Sequence, residues 1–311
     1  MKGCLQDRRA GRRRGSALIG VFWLLAVLSL AVFTTAQLVH NDMAIVVSQK
    51  LSFRAGQLAE MGISIGMNPV VEKYDPLLYQ ELGSDEAFEV HLVSEGGRLS
   101  INALLVGDRV LLEELFMFWG LEQSDAEELV DALQDWIDPD DLPALNGAEY
   151  EYYADLGFEN YPFDRPFYNI EEMALVRGMD LLSEYKPNWR DYFTLWSSGQ
   201  LNVNEADAEL LEVVAKVSLN SAEEFVELRN GYDFLPDTED DIVFETIGEA
   251  AAILGIPEGD EQTLGRLSVS DPTLRIESTG YVGEYLKTVV LVVRNRESNP
   301  IILAREEIFY R

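Results

Sequence analysis

The chain has 311 residues, enough for about two domains of ordinary size. Its 24 Lys and Arg residues stand against 55 Asp and Glu residues, a formal charge of -31 that argues against a DNA- or RNA-binding protein, because such binding depends on basic side chains. One cysteine, Cys4, and two histidines, His40 and His91, exclude a disulfide framework and the usual zinc sites. Any catalysis would therefore depend on carboxylates.

The N-terminus combines a basic leader with an apolar run. Residues 1–15 carry a net charge of +5, and residues 16–39 carry no charge at all. A helix over this run would be about 36 Å long, enough to cross a hydrocarbon layer of about 30 Å. Basic flanks stay cytoplasmic, so the acidic bulk is expected on the other side of the membrane. A cleaved secretory signal is the alternative, but its apolar region is typically only about 7 to 15 residues long.

The helical pattern continues beyond the span. From Met43 to Met67, apolar residues recur at steps of three, four or seven, and Asn68-Pro69 then marks an end. We predict one helix of about 50 residues, transmembrane over 16–39 and amphipathic over 40–67. The predicted assembly positions on it are Gly20, Val47, Leu51, Leu58 and Met61. A signal anchor followed by a simple stalk is the other interpretation.

A near-repeat marks the middle of the chain. The hexapeptide that ends in Asn102, GRLSIN, recurs as GQLNVN at Asn204, and each copy leads into a predicted pair of helices. The second helix of the first pair is predicted to begin at Ser124, with Glu127 completing a capping box. Residues 101–265 are therefore predicted to form a helical domain with two helix-pair repeats.

Strand patterns flank this helical region on both sides. Residues 88–93 alternate and are predicted to return as a hairpin over 98–101, while residues 274–309 indicate an antiparallel meander. The predicted fold class is α+β. The long N-terminal helix packs on an antiparallel sheet formed by residues 68–100 and 266–311, and the all-α domain is inserted between the strands.

One acidic cluster has the composition of a metal site. Pro139 is expected to end the preceding helix, so that carboxylates gather at a helix C-terminus, where the macrodipole disfavours anions. Oxygen ligands of this kind suit Ca²⁺. The predicted ligands are Asp138, Asp140, Asp141 and Glu149. A solvated acidic turn is the alternative, and the second acidic run, 237–241, is interpreted as a solvated loop.

Residues 150–168 interleave eight aromatic residues with acidic ones. Packing of a long loop onto the helical domain is the favoured explanation, and an interface is the other.

The border of the span and several later motifs carry a family resemblance. The sequence RRRG-SALIG resembles the class III leader read by prepilin peptidases, with Gly20 where most pilin-like proteins have Glu. The motifs DWIDPDDLP, GAEYEYY, PFYNIEEMALVRGM and SDPTLRIESTG follow in order. Together they resemble the K minor pseudopilins of type II secretion systems.

This resemblance implies processing, location and partners. Prepilin peptidase would cut between Gly15 and Ser16 and the new N-terminus would be methylated. The protein would be a non-enzymatic, single-pass inner-membrane protein with its bulk in the periplasm. It would assemble with the I and J minor pseudopilins at the pseudopilus tip during protein export, and bind calcium in the inserted domain.

The missing Glu at Gly20 suggests how such a subunit would act. A carboxylate inside the lipid costs about 2.5–3.5 kcal/mol, so it is kept only where a partner subunit uses it. A subunit that has no other subunit ahead of it in the filament therefore needs no Glu. A filament-capping role follows. The alternatives are a membrane-anchored periplasmic hydrolase that depends on carboxylates, and a helix-hairpin-helix DNA-uptake protein, against which the acidic surroundings of Gly120 argue.

Overall fold

A single long helix opens the structure. The computed structural model describes residues 14–309, and side chains from residue 18 to residue 308. Helix α1, Arg14–Gly66, has 53 residues. Residues 1–13 of the predicted leader, which covers residues 1–15, lie outside the described residues, and so does the side chain of Ser16 at the predicted cleavage site.

The first half of α1 is apolar and the second half packs on protein. Within the described residues, α1 is long and apolar enough to cross a membrane. Its most apolar stretch contains no buried residue, whereas Ala55, Leu58 and Ala59 are fully buried. The helix therefore packs on the body of the protein only from about residue 51, which is later than the predicted start of its amphipathic half at residue 40.

The main sheet has five antiparallel strands, namely β1, Tyr79–Glu81; β2, Glu86–Ser94; β7, Thr273–Val282; β8, Tyr285–Arg294; and β9, Ile301–Phe309. They lie side by side in the order β1-β2-β7-β8-β9. Helix α1 crosses β2, β7 and β8. The approach is close at Gly280 in β7, where an added Cβ would lie 2.0 Å from the carbonyl oxygen of Ala55.

The predicted hairpin after residue 93 is wrong. Strand β2 pairs with β7 along its whole length, from Glu86 opposite Val282 to Ser94 opposite Leu274. Residues 95–97 form a 3-10 turn, and β3, Leu99–Ser100, pairs in parallel with β4, Phe193–Thr194. The alternation of residues 88–93 identified the strand, but its partner lies nearly two hundred residues away, beyond the reach of a turn signal.

The inserted domain contains nine short helices within the described chain. They are α2, Ile101–Gly107; α3, Arg109–Phe118; α4, Gln123–Ile137; α5, Tyr150–Asp155; α6, Met179–Tyr185; α7, Ala208–Val214; α8, Leu219–Arg229; α9, Ile247–Leu254; and α10, Glu261–Gly265. Helix α4 begins one residue before Ser124, and Glu122 is its N-cap, so the predicted capping box is not formed. The α+β fold class is confirmed.

Two hydrophobic cores organise the chain. One joins the second half of α1 to the sheet, and the other fills the inserted domain from Leu99 to Leu267. Polar contacts connect the regions that hold these two cores. Glu95, 1% exposed, accepts hydrogen bonds from Arg98, at 2.8 Å, and from Thr194. Arg294 donates to the carbonyl oxygen of Trp196 at 3.1 Å.

The near-repeat has the same structural role in both copies. The side chain of Asn102 exchanges two hydrogen bonds, of 2.9 and 3.0 Å, with the backbone of Phe167. Asn204 exchanges two of 2.9 Å with the backbone of Phe244. Strand β5, Leu201–Asn202, which precedes Asn204, pairs in parallel with β6, Leu267–Ser268, as β3 pairs with β4. Each asparagine thus ties the start of its copy to a distant segment.

Candidate functional site

The predicted metal-binding segment begins where α4 ends. Asp135 in the last turn of α4 is 1% exposed and accepts hydrogen bonds from the backbone N–H of Ala144 at 3.0 and 3.2 Å. Burial raises its pKa despite these bonds. Gly147 lies directly against it, since an added Cβ would be 1.9 Å from Asp135 Oδ2. Asp135 therefore organises the loop.

Further contacts fold this loop back on α4. Asp131 accepts a hydrogen bond of 3.1 Å from the backbone N–H of Asn146. The Arg177 guanidinium donates to the carbonyl oxygen of Gly147 at 3.2 Å and forms an ion pair with Glu128 at 2.6 Å. Because several elements hold it, the segment between α4 and α5 has a defined shape.

Glu149 is the most perturbed carboxylate of the segment. It is 6% exposed, and neither of its carboxylate oxygens has a hydrogen-bond partner among the described residues. Burial raises its pKa to about 7, helped by the negative charges of Asp135, Asp138 and Asp164. Such an unpaired buried carboxylate is costly unless a proton or a cation neutralises it.

The structure brings the four predicted ligands together only in part. Asp138 Oδ1 is also buried without a partner, and burial and the charge of Asp140 raise the pKa of this residue. Asp141 and Glu149 line one open cavity of about 570 Å³, whereas Asp140 accepts a hydrogen bond from the backbone of Leu142. No three carboxylate, His or Cys groups within residues 14–309 lie close enough together to hold a metal ion.

The sequence interpretation missed Asp164. This residue follows the aromatic segment and lies near the cluster, as its charge effects on Glu149 show, and burial and the charge of Asp141 raise its own pKa. Phe163 brings it there by packing on the Trp136 ring, with 5.3 Å between ring centroids. No sequence signal connects Asp164 with Glu149, because the two lie 15 residues apart with no periodic relation.

Half of the eight aromatic rings in the aromatic segment, residues 150–168, pack around Trp136. The Trp136 ring meets those of Tyr153, Tyr161, Phe163 and Phe167 at centroid distances of 5.2 to 6.5 Å. Some of its other rings remain exposed, namely those of Tyr150, Tyr152, Phe158 and Tyr168. The segment thus fastens the loop over the end of α4.

The predicted assembly positions on α1 divide into two sets. Val47 is 52% and Met61 is 43% exposed, and Gly20 has open space around it, so all three are available to a partner. Leu58 is fully buried against the sheet and Leu51 packs partly on the same core. The assembly positions predicted from the sequence thus include residues from two different faces of the helix. Leu58 lies on the face that packs on the sheet, where it stabilises this chain's own fold and offers no surface to a partner.

The histidines lie apart from the acidic segment. His40 is exposed on α1, and His91 is exposed on β2, where its Nε2 lies 3.5 Å from Glu89 Oε1.

These features define a class of protein: a long exposed apolar helix continues into an α+β body and carries a large helical insertion. Residues 97–184 match the family model for protein K of the type II secretion system. Protein K of Klebsiella pneumoniae is 40% identical over 70 residues, 22% of this chain and 20% of that protein. Protein K of Pectobacterium carotovorum is 30% identical over 128 residues, 39% of this chain and 37% of that protein.

The fold matches more widely than the sequence. A chain of the GspK-GspI-GspJ complex from the type II secretion system of enterotoxigenic Escherichia coli aligns with a TM-score of 0.61, covering 88% of this chain and 99% of that chain at 18% identity. The matched segments span only 20% and 37% of the two curated relatives. The predicted resemblance to type II secretion protein K is confirmed.

Proposed function

We propose that this chain is a minor pseudopilin at the tip of the type II secretion pseudopilus. It joins the I and J minor pseudopilins and initiates or caps the filament during export across the outer membrane. It is a single-pass inner-membrane protein, its bulk lies in the periplasm, and it acts without catalysis. The observation that carries this proposal is α1, one uninterrupted helix that is exposed at its apolar end and packed on the sheet at the other.

The surroundings of Gly20 support the capping role. A Cβ added there meets nothing within 4 Å, so this chain itself leaves room for the Glu found in most pilin-like proteins. The absence of Glu therefore reflects what lies next to the helix in the filament. A terminal subunit has no other subunit ahead of it, so it does not need this carboxylate, which is costly in lipid.

The inserted domain supports a terminal position as well. It has its own core from Leu99 to Leu267, which is larger than the core between α1 and the sheet. A subunit inside a helical filament is surrounded by copies on all sides. A head of this size fits at an end, where one side is open.

The first experiment tests processing and assembly. The full chain is produced with prepilin peptidase and the I and J subunits, extracted in detergent and analysed by mass spectrometry. We expect cleavage between Gly15 and Ser16, a methylated N-terminus and co-purification of both partners. We expect Val47→Glu to abolish co-purification, while the matched control Val106→Glu, at an 83% exposed position of the inserted domain, leaves it unchanged.

Two results would contradict the proposal. One is a mature chain that begins near residue 37, because the anchor would then be a cleaved signal. The other is normal assembly of Val47→Glu. Leu58→Glu serves as a folding control, because its site is buried and its loss of assembly would be accompanied by a lower melting temperature.

We also propose that the inserted domain binds Ca²⁺ through Asp138, Asp140, Asp141 and Glu149. The support is that both oxygens of Glu149 and one of Asp138 are buried without a hydrogen-bond partner, since hard oxygen donors suit this ion. Bound calcium would supply the positive charge that these side chains lack. Gathering all four requires the loop to close around the ion, because the described residues do not form a finished ligand set.

The calcium proposal is tested on the full chain by thermal unfolding. We expect added Ca²⁺ to raise the melting temperature and a chelator to reverse the effect. Glu149→Gln should remove this response, and Glu159→Gln, an exposed neighbour outside the cluster, should keep it. A response that survives in Glu149→Gln would contradict the proposed site. If the chain were instead a hydrolase, the same variant would lose a catalytic activity that the wild type shows.

A further inference from the structure

The acidic loop, residues 230–241, is a closed structure at the edge of the inserted domain. Its ends meet where the backbone N–H of Ile242 donates to the carbonyl oxygen of Arg229 at 2.7 Å. Directly after it, the Phe244 ring stacks on Phe225 at a centroid distance of 4.9 Å, and both are buried. A loop of this size with joined ends is an Ω-loop, a type that frequently carries function.

Hydrogen bonds inside the loop fix its shape. Asp240 accepts from the backbone N–H of Tyr232 at 2.5 Å, and Asp241 accepts from that of Asp237 at 2.7 Å. Gly231 is confined by the same carboxylate, since an added Cβ would be 2.4 Å from Asp240 Oδ2. These acidic groups are occupied in building the loop, so the sequence interpretation of 237–241 as merely a solvated run understates their role.

The loop holds large apolar side chains out in solvent. Tyr232 is 94% exposed, Phe234 is 63% exposed and Leu235 is 58% exposed, and Val243, just beyond the loop, is 70% exposed. Aromatic residues are enriched where proteins bind one another, and they supply most of the binding energy there. A fixed loop has already lost much of the conformational entropy that binding would otherwise cost.

The charges around these side chains are negative. Lys73 is paired with Asp237 at 3.0 Å and with Glu205 at 2.6 Å. Arg229 is 9% exposed and donates to backbone carbonyls of the inserted domain at 2.7 and 2.9 Å. Lys73 and Arg229 are thus both engaged, whereas Glu239, inside the loop, and Glu245, two residues after Val243, are exposed.

We propose that the acidic loop docks into another protein, with Tyr232 and Phe234 entering an apolar pocket that Lys and Arg side chains surround. Charge complementarity sets this chemistry, because a pocket with an acidic rim would be repelled. An anionic lipid surface is disfavoured for the same reason. The inference concerns a contact made by the head of the molecule and does not depend on the assembly proposed for α1.

The test uses photocrosslinking of the full chain in its own cells. The photoreactive amino acid p-benzoylphenylalanine replaces Tyr232 or Phe234 in the loop. Matched controls carry it at Tyr168 and Tyr185, which are 69% and 54% exposed on the same domain. Adducts are identified by mass spectrometry, and the melting temperature of each variant is compared with wild type.

We expect one protein to be crosslinked from both loop positions at a yield at least about tenfold above the controls. Combining Glu239→Lys with Glu245→Lys should remove the adduct without lowering the melting temperature, and reversing the basic residues around the partner's pocket should restore it. The proposal is overturned by equal yields at the control positions, by adducts with lipid alone, by no adduct, or by an adduct that is indifferent to the charge reversal.

Discussion

Replacing Glu149 by Gln should stabilise the calcium-free protein at high pH. The pKa of this buried carboxyl rises from 4.5 to about 7, so ionisation opposes folding. The sign follows from proton binding: the folded state holds its proton more tightly, so the penalty is nearly absent below pH 4.5, grows as the pH rises and is complete above pH 7. At 1.36 kcal/mol per pH unit this amounts to about 3 kcal/mol at pH 8 and about 1 kcal/mol at pH 5.

Gln removes the charge at nearly constant shape but still buries an amide, which costs about 1–2 kcal/mol without partners. The expected net gain in the free energy of unfolding is therefore about 1–2 kcal/mol at pH 8, and the gain should vanish or reverse at pH 5. At about 2–4 °C per kcal/mol, the melting temperature in a chelator should rise by about 2–8 °C at pH 8.

The assay is thermal unfolding of the full chain in detergent at both pH values, followed by circular dichroism. Glu159→Gln is the control for loss of one surface charge, and its melting temperature should not change with pH relative to wild type. If Glu149→Gln is less stable than wild type at pH 8, or shows the same difference at both pH values, Glu149 is not an unpaired buried anion.

Four further substitutions test the packing, each by thermal unfolding. Gly147→Ala places a Cβ 1.9 Å from Asp135 Oδ2 and should cost about 1–3 kcal/mol and abolish the calcium response; an unchanged melting temperature would contradict the loop geometry. Asn204→Ala leaves backbone groups of a buried segment unpaired and should cost about 2–4 kcal/mol, with Asn102→Ala comparable if the copies are equivalent. Gly280→Ala directs a methyl group at a carbonyl oxygen of α1, 2.0 Å away, and should cost about 3 kcal/mol or more; tolerance would mean that α1 does not lie on β7.

The helices and strands with strong local patterns could be predicted from the sequence. Which strands pair with each other could not. The period of apolar residues predicted α1 almost to its last residue, and alternation located β2. The predicted hairpin partner of β2 was wrong, because strand alternation says which face is buried and nothing about which strand lies alongside. The predicted capping box at Ser124 was wrong as well, because α4 begins at Gln123 and its N-cap is Glu122, so Ser124 lies inside the helix.

The acidic site shows the same division. The cluster from Asp138 to Glu149 was visible as a run of carboxylates after a helix-ending proline. Two features of the site depend on how the aromatic segment packs on Trp136. Asp135 accepts hydrogen bonds from the backbone, and Asp164 approaches the cluster from another loop. Such contacts join residues with no periodic relation.

What the amino-acid sequence determined by itself is the long apolar helix, the sign of the charge, the α+β class and the repeat, since each follows from spacing or composition along the chain. Only the tertiary structure decided which face of α1 is free, which carboxylates lack partners and which apolar side chains remain exposed on a fixed loop. The physical reason is that burial and pairing are properties of neighbours in space, and here the decisive neighbours are as far apart in the sequence as Ala55 and Gly280.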